Sequence, residues 1–274
     1  MPPNANVKRK LASFESARTM IKPSMLLILK LVLVPFFIGL ISAATRRFGA
    51  LIGGIIAGLP AVAGPIVYVL ALEHGADYVR TASISTLAGL MSFSAFGIAY
   101  SWMAKHTKWP IAIVIALICW FISTYFIHAF EPNLLAAFAL AIIGLVVALL
   151  VLKVHEVAES GVSNKEIILR MVLGAALTLF VSFASGFASV SITGFLAGFP
   201  VFGTIFMVST HTKFGAEHCA NLFRGWTWGL FSYALFFASL VILLGKMGIN
   251  SAFLLASLIS LLPGPIIYLA QKKR

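Results

Sequence analysis

Nine apolar runs with few charges follow one another through this chain with little between them, at about 25–45, 49–72, 81–104, 110–130, 133–152, 165–187, 189–212, 221–244 and 250–270. Each is close to the roughly 20 residues that a helix needs to cross a bilayer core of about 30 Å. In hydrocarbon every backbone N–H and C=O must be paired inside the protein, so only helices or a closed barrel can span. Runs of this length without strict alternation predict helices. With 61% hydrophobic and 10% charged side chains in 274 residues and a mean hydropathy of +1.03, almost nothing remains for a water-soluble domain. The expected fold is an all-α polytopic transmembrane bundle of about nine spans. Its first partner is the lipid bilayer, and its expected location is the bacterial cytoplasmic (inner) membrane.

The formal net charge of +12 reads as topology signals and headgroup anchors rather than as a nucleic-acid surface. Twelve basic residues, among them Arg46, Arg47, Lys105, Lys153, Lys213 and Arg224, fall on the face away from the N-terminus, against Arg80 and Lys246 on the other apart from the tail. The loops therefore favour an external N-terminus and an internal C-terminus. The tail, with Lys8, Arg9, Lys10, Arg18 and Lys22, pulls the opposite way. The run after it is too long for a signal-peptide core, so a retained first helix is expected. Cys119 and Cys219 lack metal or redox spacing and read as packing residues.

Sliding the chain against itself by 140 residues aligns Gly54, Ala57, Gly58 and Pro60 with Gly194, Ala197, Gly198 and Pro200 without a gap. The register continues through Gly75 on Gly215, Asp77 on Glu217, Gly89 on Gly229 and Phe96 on Phe236, and it places Lys30 on Arg170. Four spans map onto four, and the fifth has no counterpart. One unpaired span inverts the second copy, so a 4+1+4 plan with inverted internal repeats is expected. The chain then divides into a basic tail (1–24), a first four-helix repeat (25–130), a linker helix (131–152), a polar loop (153–164), a second four-helix repeat (165–270) and a basic C-terminal tail (271–274).

Around Leu72-Glu73-His74-Gly75-Ala76-Asp77-Tyr78-Val79-Arg80-Thr81, preceded by Ala57-Gly58-Leu59-Pro60, each half resembles the GlpM-type family of small four-span inner-membrane proteins. The first half matches through Lys30, Pro60, Glu73, Gly75, Asp77 and Arg80. The second keeps Arg170, Pro200, Gly215 and Glu217 but has Lys213 in place of the first acid and Ala220 in place of the arginine. The resemblance implies a multi-pass bacterial inner-membrane protein and brings no settled activity. In plan only, a duplicated four-span unit also resembles the fused forms of small dual-topology exporters and fluoride channels.

Candidate sites come from interruptions and charges. Gly58, Pro60, Gly64 and Pro65 lie near the middle of the second span, and Gly198, Pro200 and Gly203 near the middle of the seventh. Proline removes a donor and clashes with the preceding turn, so both helices should break, and matched breaks in two halves point to a transporter site. The alternative is that these glycines only allow close packing. Lys30 and Arg170 lie within apolar runs and could attract an anionic solute, or their stems could snorkel to the headgroups. Glu73, Asp77, Arg80, His211, Glu217 and His218 are candidates for coupling, against a simpler reading of Asp77 and Arg80 as a cap and ion pair. The polar residues Ser83, Ser85, Thr86, Ser92 and Ser94 could line a pathway or join helices.

No catalytic arrangement is evident: no nucleophile elbow, no His-Glu-x-x-His, no nucleotide-binding glycine loop. A non-enzymatic protein without cofactor or metal is expected. The favoured function is an inverted-repeat secondary transporter or permease for a small, anionic solute or ion. The alternative is a non-transporting membrane scaffold or assembly factor for an envelope or glycerol-related complex, which would explain the scarcity of intramembrane charge.

Overall fold

The computed structural model describes residues 23–61, 63–157, 161–187 and 199–264. These are helical throughout: α1 (Pro23–Ala57), α2 (Ala63–His74), α3 (Ala76–Met103), α4 (Trp109–Phe130), α5 (Leu134–Val151), α6 (Asn164–Phe187), α7 (Val201–Phe214), α8 (Ala216–Leu244) and α9 (Ile249–Ser260). Six helices among the described residues are long and apolar enough to cross a membrane. The chain is a helical bundle of the multi-pass membrane type.

Helix α1 is two helices joined at a corner. Gly49 has φ 84° and ψ 169°, a conformation that a side chain would strain. A Cβ on Gly53 would stand 2.9 Å from Thr45 Cα. Eight residues of straight helix advance about 12 Å, so the arm 50–57 folds back along the arm that ends at Phe48. Gly75 (φ 85°) and Gly215 (φ 85°) make the same one-residue corner between α2 and α3 and between α7 and α8. At Gly215 the fold-back brings Cys219 Sγ to 3.5 Å from the Met207 carbonyl oxygen.

These corners correct two expected boundaries. The third and eighth spans start at Ala76 and Ala216, five residues earlier than the apolar runs suggest. Asp77, Arg80, Glu217 and His218 are polar yet helical. An acid in the first turn suits the helix dipole, and one glycine suffices to turn the chain, so no polar loop is needed.

The expected interruption of the second span is present. The arm 50–57 ends in turns in which Gly58 N–H donates to Gly54 and Ile55 carbonyls (3.0 and 3.1 Å) and Leu59 N–H to Ile56 (3.2 Å); α2 then restarts with Gly64 N–H on Pro60 O (2.8 Å). In the seventh span, Pro200 is the N-cap of α7, and the carbonyl of Pro200 accepts from Thr204 N–H at 2.8 Å. Gly198, the matching candidate, lies outside the described residues.

Long-range contacts set the helix directions. Arg80, at the start of α3, donates from Nε to Val241 O near the end of α8 (3.2 Å), so α3 and α8 run antiparallel. Arg46, near the end of the first arm of α1, reaches Asn164 at the start of α6, so these two are also antiparallel. One end of the bundle thus gathers Arg46, Lys105, Lys153 and Lys213, and the other holds Asp77 and Arg80. Helices α3 and α8 are the most buried of the long helices. Between them and α7 lies an aromatic core in which Phe93 is 5.3 Å from Phe223 and 5.1 Å from Trp226, centroid to centroid.

Candidate functional site

The broken second span crosses α8 through four glycines. A Cβ on Gly54 would fall 2.1 Å from Leu222 O, on Gly58 2.4 Å from Trp226 O, on Gly225 1.9 Å from Leu51 O and on Gly229 2.2 Å from Ile55 O. Each helix thus offers a Gly-x-x-x-Gly face, and the two backbones touch directly. Van der Waals packing of small residues is what joins helices where no hydrophobic force separates them from lipid. Gly58 is therefore occupied by a helix contact. Pro60 is half-buried in the turn and Pro65 is exposed, while a Cβ on Gly64 would meet only Phe236 Cζ, at 3.7 Å. In the other half a Cβ on Gly203 would lie 2.9 Å from Phe96 Cε1. Phe96 and Phe236, equivalent at the 140-residue offset, thus each abut the restart of one broken span.

The charged residue best defined inside the bundle is Arg170. Its side chain is 1% exposed, and Nη2 donates to Glu166 Oε1 at 2.6 Å one turn earlier on α6. The other carboxylate oxygen of Glu166 pairs with Lys213 of α7. The guanidinium carbon lies 5.5 Å from the Phe206 ring centroid, a cation–π distance. Nε and Nη1 of Arg170 have no hydrogen-bond partner among the described residues. One carboxylate thus holds two cations, Arg170 buried and Lys213 38% exposed, and the buried guanidinium keeps two donors open. Snorkelling does not describe Arg170, since its head is packed inward; the side chain of Lys30, its counterpart, lies outside the described residues.

Near this triad, Tyr100 of α3 is fully buried, with its hydroxyl 3.4 Å from His211 Nδ1 of α7. Cys219 is also fully buried. The remaining coupling candidates separate to the two ends. Asp77 pairs with Arg80 at 3.5 Å, the Asp77 side chain being 99% exposed, which fits the ion pair, while the helix has Gly75 as its N-cap and no side-chain cap. Glu217 is exposed and lies 4.0 Å from His155 Nδ1. His218 packs against Phe214 at 5.3 Å. The Glu73 side chain lies outside the described residues. Of the serine stripe, Ser92 Oγ donates to Ser123 Oγ at 3.3 Å and Ser94 to its own helix at Leu90 O, so both join helices or close on the backbone.

Sequence reasoning missed Glu166, Asn221 and the capping role of Arg224. Glu166 stands four residues before Arg170, a helical pair spacing that could have drawn attention to it. Its second partner, Lys213, is 47 residues away and had no local signal. Asn221 clamps the linker after α5, accepting from His155 N–H (2.9 Å) and donating to His155 O (2.7 Å). Arg224 Nη1 donates to Leu149 O and Leu152 O, satisfying orphan carbonyls at the C-terminus of α5.

Residues 27–132, which contain most of α1 and all of α2 to α4, match a protein family described as "Protein of unknown function (DUF3147)". No curated protein and no solved structure matches the chain.

Proposed function

We propose that the chain is a secondary transporter or permease of the bacterial cytoplasmic membrane, built from two inverted four-span repeats around α5, that moves a small anionic solute. The observation that carries this reading is Arg170: a buried guanidinium with two donors open, sharing one carboxylate with Lys213. An intramembrane charge is a functional-site hypothesis by default, and a buried guanidinium with two unmet donors suits an anion. The antiparallel pairs α3 with α8 and α1 with α6, each equivalent at the 140-residue offset, support the inverted plan, and the resemblance of each half to the GlpM-type family supports the location.

In this reading Arg170 holds the solute, Glu166 and Lys213 orient Arg170, and Lys30 supplies the matching cation from the other half. The breaks at Pro60 and Pro200, with Gly64, Pro65, Gly198 and Gly203, let one half rock against the other about the contact of Gly58 with α8. The pairs Asp77–Arg80 and Glu217–His155 then act at the two ends, with Glu73, His211 and His218 as proton carriers for coupling.

The scaffold reading keeps one observation in its favour, the dry backbone contact of Gly54 and Gly58 with α8. Cysteine reactivity separates the two. In a background with Cys119 and Cys219 replaced, Ala63→Cys and Thr204→Cys flank the breaks. A transporter gives labelling of both by a small water-soluble thiol reagent in membranes, changed by a bound anion and lost on Arg170→Met. Absence of labelling at both positions in folded protein would refute transport through the breaks and leave the scaffold.

A further inference from the structure

On the flank of the bundle at its basic end, a groove of about 730 Å³ opens sideways between α5 and α8. Its floor is apolar, with Val146, Leu149 and Leu150 of α5 facing Trp228 of α8, and its upper edge carries Lys153 and Arg224. Val146 and Leu150 are 41% and 76% exposed, in a helix long and apolar enough to span a membrane. A smaller hollow shares Lys153 and lies between α3 and the linker, with Trp102, Lys105 and His155 on its walls. Each hollow thus pairs a tryptophan with cations, and neither is lined by a carboxylate. Among the described residues of this end, Glu217 lies 4.0 Å from His155 Nδ1 and Glu156 is exposed.

We propose that this groove binds an anionic glycerophospholipid, with its phosphate at Lys153, where the groove meets the smaller hollow that Lys105 lines, and an acyl chain on Val146, Leu150 and Trp228. The shape matches an amphiphile: cations at one end, and a hydrocarbon floor running about one helical turn toward the membrane centre. Tryptophan belongs at headgroup level, where its ring spans apolar and polar layers. Basic pockets between helices at a membrane face take acidic headgroups. A free phosphate would leave the floor uncovered, and a zwitterionic lipid would bring no net negative charge to Lys105 and Lys153. Arg224 adds positive potential while its Nη1 holds the carbonyls of Leu149 and Leu152. The lipid then sits against the turn that connects the two halves, where Asn221 clamps His155.

The full chain, purified in a neutral detergent, is titrated with dioleoyl-phosphatidylglycerol and, separately, dioleoyl-phosphatidylcholine, and binding is read by native mass spectrometry. Phosphatidylglycerol should bind more tightly than phosphatidylcholine. Lys105→Ala and Lys153→Ala, both exposed and safe for folding, should each weaken phosphatidylglycerol roughly fivefold and leave phosphatidylcholine unchanged. Val146→Ser should weaken both lipids. Equal binding of the two lipids, or phosphatidylglycerol binding untouched by the double lysine variant, would overturn the proposal. Displacement of phosphatidylglycerol by millimolar inorganic phosphate would also overturn it, by showing a site for a soluble anion.

Discussion

The crossing of the broken second span with α8 gives a sharp quantitative expectation. Gly→Ala in an exposed helix interior stabilises by about 0.5–1 kcal/mol, through backbone entropy. At Gly225 the new Cβ would stand 1.9 Å from Leu51 O, where ordinary contact begins at 3.4 Å. The obstacle is a carbonyl, which has no rotamer to turn away, so two helices must part. Overpacking of this kind costs about 1–3 kcal/mol, and Gly225→Ala should therefore be net destabilising despite its helix propensity. Gly54→Ala, facing Leu222 O at 2.1 Å, should behave alike. Once the helices have parted for one methyl group, the second meets less resistance, so the double variant should fall short of the sum by about 0.5 kcal/mol or more. The assay is equilibrium unfolding in mixed micelles of rising dodecyl sulfate fraction, followed by tryptophan fluorescence, to which Trp226 at the crossing contributes, and by circular dichroism. Gly225→Ala as stable as the parent or more so would refute the close crossing. Strict additivity with Gly54→Ala would refute the shared interface.

Two further outcomes follow from the same geometry. Glu166→Gln removes the one carboxylate between Arg170 and Lys213 and should destabilise by about 3–5 kcal/mol, as expected when a buried charge loses its partner; adding Arg170→Met should recover much of that loss in the same unfolding assay, and no recovery would place the damage elsewhere. Asn221→Ala removes two hydrogen bonds to His155, each worth about 1 kcal/mol; cleavage of the linker at 153–157 by a soluble protease should then become several times faster, and an unchanged rate would show that the clamp does not hold the linker.

Much of the helical organisation is legible in the amino-acid order because hydrocarbon leaves the backbone so few choices. The long helices α4 and α5 start and end within a residue or two of the apolar runs that announce them. Pro60 and Pro200 mark a break and a helix start, since a missing N–H and a ring clash act within one turn. Asp77 and Arg80 behave as their three-residue spacing suggests. Errors arise where local polarity misleads: the starts of α3 and α8 were hidden because charged first turns resemble loops, and only the corners at Gly75 and Gly215 make the loops unnecessary.

The candidate site was legible in part. Arg170 stood out as a charge in an apolar run, and its place near a helix end favoured snorkelling over an inward-facing role. Packing decided between them, because Phe206 and Lys213, from a different helix, close over a side chain that would otherwise reach the headgroups. The four-glycine crossing shows the same division. Close packing was one of two readings open for Gly58, but which backbone it meets, and that Gly54 joins it, depends on directions and distances across the bundle. Apolar length and proline act through bonds and solvation along the chain, so sequence by itself determines the long apolar helices, the break at Pro60 and the helix start at Pro200. The partner of Glu166, the clamp of Asn221 on His155 and the groove beside Lys153 join groups far apart in sequence, so only the tertiary structure brings their charges and donors within reach.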